Sequence, residues 1–117
     1  MPANYATGGI TLTVVWGADT ATTGNVIWGA AFRDMPDDAE DIDTTAFSYD
    51  YNASAAVAAP SAVGENSYDN ITFTNGADMD SVVAGNAFIL RIRRDAANAG
   101  DTMAGDSGLI SLLMKET

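Results

Sequence analysis

Gly105-Asp106-Ser107-Gly108 is the stretch from which a serine nucleophile could be built. Flanking glycines let a hydroxyl project from a tight turn, and attack on a carbonyl then needs a general base within hydrogen-bond reach. That base is ordinarily a histidine, and the chain contains none. Lys115 could take the role only if the fold carried it to Ser107, and nothing in the spacing does so. A β-turn entering the last strand is the better reading. Cysteine is absent as well, which removes disulfides and thiolate metal sites, and the loss of histidine removes the common His-containing zinc sites. With no base–nucleophile pair in view, the expectation is a protein that is not an enzyme.

The carboxylates form two groups. Asp34, Asp37, Asp38, Glu40, Asp41 and Asp43 crowd one acidic stretch, which lacks the spaced ligands and central glycine of an EF-hand. It reads as a solvated loop. Asp95, Asp101 and Asp106, with Asn98, flank a second loop. They are the weak candidates for Ca²⁺ ligands; turn capping and pairing with neighbouring arginine is the favoured alternative. No other cofactor is expected.

The cations are concentrated too. Arg91, Arg93 and Arg94 supply three of the five basic residues. Ion pairing with nearby Asp competes evenly with a role in a subunit or capsid contact, since arginine is enriched at interfaces. Tyr5, near the N-terminus, joins these three as an interface candidate. Trp16, Trp28, Tyr49 and Tyr51 have the ring chemistry to stack on sugars, but they fall on apolar strand faces, where core packing is expected.

The whole-chain charge is −11, from 16 acidic and 5 basic residues. So few cations disfavour a nucleic-acid partner or an anionic membrane surface. No apolar stretch approaches the ~20 residues that span a bilayer as a helix, and no secretory leader pattern is visible. Asp outnumbers Glu by 13 to 3, which suits turns and caps rather than helix interiors.

The elements that must position these groups read as strands. At 117 residues one domain is expected: residues 1–8 as an N-terminal arm able to order on a neighbour, and residues 9–117 as a single β-sandwich. In residues 10–16, Ile10, Leu12, Val14 and Trp16 alternate with threonine on the opposite face. Residues 25–34 place Val26, Trp28, Ala30 and Phe32 on one face, with Gly29 marking close packing or a bulge. A third strand begins near Ala46, with Phe47, Tyr49 and Tyr51 alternating. A fourth covers residues 67–75, with Ile71 and Phe73 inward. Residues 78–85 read as a short helical turn or loop. The fifth strand, residues 87–95, turns Phe88, Leu90 and Ile92 to the core, and the last, residues 109–116, is apolar on both faces. That is about six strands; a jelly roll needs eight, with the other two expected in residues 42–47 and 53–59.

The run from Ile71-Thr72-Phe73 through Met79-Asp80-Ser81-Val82 and Ala84-Gly85-Asn86 into Phe88-Ile89-Leu90-Arg91-Ile92-Arg93-Arg94-Asp95 is followed by Asp101-Thr102-Met103-Ala104-Gly105-Asp106 and a closing apolar strand. It resembles the final strands of small jelly-roll domains of tailed-bacteriophage virions, both capsid decoration (cement) proteins and head- or tail-fibre tips. The pairing of residues 10–16 with residues 25–32 is similar as well. The resemblance implies an antiparallel β-sandwich of jelly-roll type. It also implies a virion protein on the capsid surface, with itself as a homotrimer and the major capsid protein as partners. The alternative is a glycan- or receptor-binding module of a phage fibre. A homotrimer carries three times −11, so its contacts must be apolar and its assembly salt-sensitive.

Overall fold

The computed structural model describes residues 1–41, 43 and 51–117. Among them the regular structure is antiparallel strand, with a single 3-10 turn at Ala77–Met79. Eight strands follow in order: β1 Ile10–Ala18, β2 Asn25–Val26, β3 Trp28–Met35, β4 Asn52–Ala53, β5 Val57–Ala58, β6 Asn66–Phe73, β7 Ala87–Arg94 and β8 Ser107–Glu116. They build a three-stranded sheet ordered β6-β1-β8, a second ordered β4-β3-β7, and a ribbon of β2 with β5. The pairings are nested: β1 pairs with β8, and β3 pairs with β7.

The sequence alternation explains which faces meet. Ile10, Leu12, Val14 and Trp16 of β1 are buried, as are Trp28, Ala30 and Phe32 of β3. With Ile71 and Phe73 from β6, they form one core between the two sheets. Aromatic pairs hold its two ends. Trp16 and Trp28 lie 6.4 Å apart at a 53° tilt. Phe73 meets Phe32 edge-on at 4.8 Å, and Phe88 lies 5.2 Å from the same ring. Both are favourable quadrupole geometries.

The strand expected over residues 25–34 is two pieces. The Ile27 N–H donates to the Asp101 carboxylate at 3.0 Å, and its carbonyl accepts from the Asp95 N–H at 2.8 Å. The 95–106 loop has thus taken both backbone groups that a continuous ladder would use. Gly24 packs just ahead of this break with φ +91°, and a Cβ there would lie 2.8 Å from the Met103 backbone. Residues 53–59 supply β5 and part of β4, as expected for one of the short strands. The other expected short strand, residues 42–47, and the Phe47–Tyr49 part of the third strand lie largely outside the described residues.

Residues 1–8 are folded onto their own domain. The Met1 amino group donates to the Asn86 carbonyl, and the Gly85 N–H donates to the Met1 carbonyl at 2.9 Å. Glu116 accepts from the N–H groups of Ala6 and Gly8, both at 2.8 Å. The segment carries one core side chain, Tyr5, so it is a lid on the sandwich end rather than a free arm.

Candidate interaction surface

Four of the residues singled out from sequence fall in three different places. Tyr5 is only 7% exposed. Its hydroxyl donates to Asn75 at 2.9 Å and accepts from the Gly9 N–H at 3.1 Å, so it ties the N-terminal segment to the β6 end.

Arg94 is committed inside the chain. Its Nε and Nη2 bond both Asp101 oxygens, at 3.0 Å to Oδ2 and 2.6 Å to Oδ1. It also donates to the carbonyls of Met103, at 2.6 Å, and Gly105. A planar fork with several donors suits this corner better than a point charge would. The mutual hydrogen bond raises the Arg94 pKa, desolvation opposing, and the charges of Asp101 and Asp106 add to the rise. For Asp101, burial alone would raise the pKa, but hydrogen bonds from Arg94 and the Ile27 N–H, with the arginine charge, hold it below the ordinary carboxylate value. Among the described residues no three His, Cys, Asp or Glu side chains converge as metal ligands. Asp95, Asp101 and Asp106 therefore do not form a ligand set here, and Asp101 belongs to the arginine corner.

Arg91 and Arg93 stand on the outer face of the β4-β3-β7 sheet, opposite Ala31 and Gly29. The Arg93 guanidinium lies 3.9 Å from the centroid of the Tyr51 ring, and that of Arg91 lies 5.7 Å from it, which is cation–π geometry for both. Gly29 leaves room for Tyr51 to lie flat on the sheet: a Cβ there would already touch its ring at 3.5 Å. Next along β3, Arg33 is 4% exposed and donates to Glu40 at 2.9 Å and to the Asp41 carbonyl at 3.2 Å. This face is therefore overlaid by its own tyrosine and by part of the acidic loop.

The serine and lysine do not meet. Ser107 opens β8 opposite Ala18, whereas Lys115 lies near its far end, opposite Thr11. Eight residues of strand separate them by roughly 27 Å. The Ser107 hydroxyl is buried without a hydrogen-bond partner among the described residues.

Asp69 is a different kind of feature. It points inward from β6 opposite Val14 and is 2% exposed. Its Oδ2 has no partner among the described residues, nor have the indole N–H groups of Trp16 and Trp28. Desolvation pushes its pKa up to about 6, against the smaller opposing pull of a hydrogen bond with Ser54. The sequence gives little warning of it, because Asp69 interrupts an inward row with Ile71 and Phe73 only as a single residue.

The outer face of the β6-β1-β8 sheet is chemically unlike the rest of the molecule. Its β1 row is Thr11, Thr13 and Val15. Tyr68, Asn70 and Thr72 flank it from β6, and Ser111, Leu113 and Lys115 from β8. Among the described residues no carboxylate lies on it. A bulge in the β1–β8 register at Val15/Trp16 leaves Ile110 as the extra residue. Its Cδ1 sits 3.5 Å from where a Cβ of Gly17 would be, on this same face. Tyr68, Ile110 and Leu113 are 60%, 57% and 54% exposed. Leu109 and Met114, turned to the core side of the same edge strand, are still 44% and 37% exposed. Beside them the inward row of β7, Phe88, Leu90 and Ile92, is only half-buried. Large apolar side chains thus wrap strand β8 on both sides. Tyr68 is legible in outline from sequence, as the one aromatic out of phase with Ile71 and Phe73.

Two shallow clefts of about 210 and 260 Å³ are smaller than ordinary small-molecule sites. Tyr68, Ile110 and Leu113 line neither of them. No protein-family model matches the chain, and no curated protein or solved structure matches it.

Proposed function

We propose that this chain is a virion structural protein, a decoration protein of jelly-roll type that sits on a bacteriophage capsid as a homotrimer and stabilises it. On this reading it is a coat component and not an enzyme, and its partners are its own copies and the major capsid protein. The observation that carries the proposal is the outer face of the β6-β1-β8 sheet, which among the described residues bears no carboxylate and exposes Tyr68, Ile110 and Leu113 on a chain of net charge −11. Exposed apolar patches on a soluble domain mark surfaces that another macromolecule covers. Two further features support it. The nested pairing of β1 with β8 and β3 with β7 suits jelly-roll connectivity, and the strand run from Ile71 to the C-terminus resembles such virion domains. Several modest contacts made together by linked copies would bridge neighbouring capsomers through avidity.

The test is co-sedimentation with undecorated capsids of the phage that encodes the chain, followed by heating the loaded and bare particles. Saturable binding and later heat release of the genome are expected. A chain that ignores capsids at any salt concentration would overturn the assignment. A second reading, a glycan-binding fibre module, has one specific observation behind it. The Tyr68 ring stands exposed beside Asn70 and Thr13, whose side chains bond each other at 2.7 Å, a stacking ring with polar neighbours. Glycan-array binding that disappears in Tyr68→Ala would favour it.

A further inference from the structure

We infer that strand β8 and the adjoining outer face of its sheet form the surface through which copies of this chain associate with one another. The inference rests on the proposed function only for the expectation that copies associate; the choice of surface comes from charge, area and strand geometry.

Charge selects the occupant. Two chains of net charge −11 repel unless their contact excludes carboxylates. Ser107 to Met114 is eight residues without a charge, and among the described residues the only ionisable group on the outer face of the sheet besides the Tyr68 phenol is Lys115. A basic partner would be drawn instead to the acidic loops, or to the opposite sheet, where Glu40 and Asp41 lie over Arg33. A face whose described residues are uncharged except for Lys115, and which exposes Tyr68, Ile110 and Leu113, meets less repulsion from a second copy than a carboxylate-bearing face would.

Area agrees. Ten residues of β8 give a length of about 34 Å, and three strands give a width of about 14 Å. The footprint is therefore ~480 Å², and side-chain relief brings its accessible area toward the ~800 Å² per partner of a stable interface. Of the seven large hydrophobic side chains exposed among the described residues, Tyr68, Ile110 and Leu113 lie on it, and Leu109 and Met114 lie on the core side of β8 at its edge.

The strand geometry favours contact between copies around β8. Among the described residues it pairs with β1 alone, so its other side is an edge of the described sheet. The inward rows of β7 and β8 open at that same edge. Where β8 strands approach a common symmetry axis, Leu113 and Ile110 of each copy come near their own equivalents.

The experiment is sedimentation velocity in about 0.5 M NaCl, where the Debye length shrinks to a few ångströms and charge repulsion is screened. The wild-type chain is expected to associate. Ile110→Asp and Leu113→Asp, both at exposed positions, are expected to weaken association roughly thirtyfold or more, as loss of a central apolar anchor does. Their circular dichroism should match the wild type, and Ala55→Asp, exposed beside β4 of the opposite sheet, should associate normally. Because the chain has no cysteine, Leu113→Cys gives an independent readout: mild oxidation should yield a covalent dimer quickly, and Ala55→Cys should not. A wild-type chain that stays monomeric at high concentration overturns the inference. So does association that survives both aspartate variants, or that is lost in Arg91→Ala with Arg93→Ala instead. Failure here and failure of the capsid assignment are distinguishable: an oligomer dissolved by Leu113→Asp that ignores capsids refutes only the latter, and a monomer that decorates capsids refutes the former together with the homotrimer, and leaves capsid binding standing.

Discussion

Replacing Asp69 by asparagine should make the protein more stable and should flatten its pH dependence. Asp69 is 2% exposed, lacks a partner at Oδ2, and has its pKa pushed from 3.8 to about 6 by desolvation. The folded state therefore holds this proton more tightly than the unfolded state does. Well below pH 3.8 both states are protonated and the group costs nothing. As the pH rises from 3.8 the unfolded state ionises first, and stability is lost until the buried carboxyl ionises too, through about 6. At 1.36 kcal/mol per pH unit, the gap between 3.8 and about 6 corresponds to ~3 kcal/mol once the loss is complete, above about pH 7. At pH 5 about half of it is already present, so the wild-type chain should lose roughly 1–2 kcal/mol from this residue between pH 5 and pH 8. The side-chain amide in Asp69→Asn has no such titration. Urea denaturation of both proteins at pH 5 and pH 8 isolates the effect, because mutual repulsion of the other carboxylates is common to the two and cancels in the difference. The gain on substitution should be larger at pH 8 by roughly 1–2 kcal/mol. Parallel pH curves would refute the reasoning and show that the Asp69 carboxylate is already compensated in the folded state.

Arg94→Ala should destabilise by about 3–5 kcal/mol, because it leaves Asp101, whose side chain is 1% exposed, as an unpaired buried charge; thermal melting measures it, and Arg94→Lys should recover only part. Gly24→Ala should cost about 2–3 kcal/mol, from the φ of +91° combined with the 2.8 Å approach to Met103, and a melting temperature within a degree of wild type would contradict the described loop packing. Ser107→Ala should be neutral or stabilising by up to about 1 kcal/mol, since its buried hydroxyl has no partner among the described residues; a marked loss of stability would reveal a hydrogen bond this structure does not contain.

How far the sequence discloses the fold depends on which link decides each element. Alternation decides β1, β6 and β7, and their inward residues follow from it: Leu12, Val14 and Ile71 are fully buried. Alternation fails where another segment takes the backbone groups. The break at Ile27 is made by Asp101 and Asp95, some seventy residues away, and no local pattern announces it. The arginines show the same division. Three neighbouring cations look alike as contact candidates, yet Arg94 faces a nearly buried carboxylate while Arg93 lies over Tyr51, and only the path of the 95–106 loop separates those roles. Tyr5 falls on a segment that reads as an arm, and its burial comes from Gly9 and Asn75 closing on its hydroxyl. The apolar character of both faces of the last strand is visible at once. Its meaning requires the register, which puts Leu113 beside Thr13 on an outer face and leaves Leu109 and Met114 at an uncovered edge.

The distribution of negative charge follows one physical logic. Carboxylates at the ends of strands accept otherwise unpaired N–H groups: Asp78 takes that of Thr74, Asp80 that of Asp34, Glu65 that of Ala62, and Glu116 those of Ala6 and Gly8. Each such bond fixes a turn and is stronger than a neutral one. An acidic composition therefore suits a domain with many short connections, provided the charges stay at the sandwich ends and in the loops. The outer face of the β6-β1-β8 sheet satisfies that condition, whereas the interior violates it once, at Asp69. Selection for stability alone would replace Asp69 by an uncharged residue and would set charges along an exposed edge strand to prevent pairing. The edge strand β8 has no charge from Ser107 to Met114. An uncharged edge is prone to pair with another chain, and among the described residues nothing covers it, so the proposed association through β8 and the charge pattern of the chain follow the same logic.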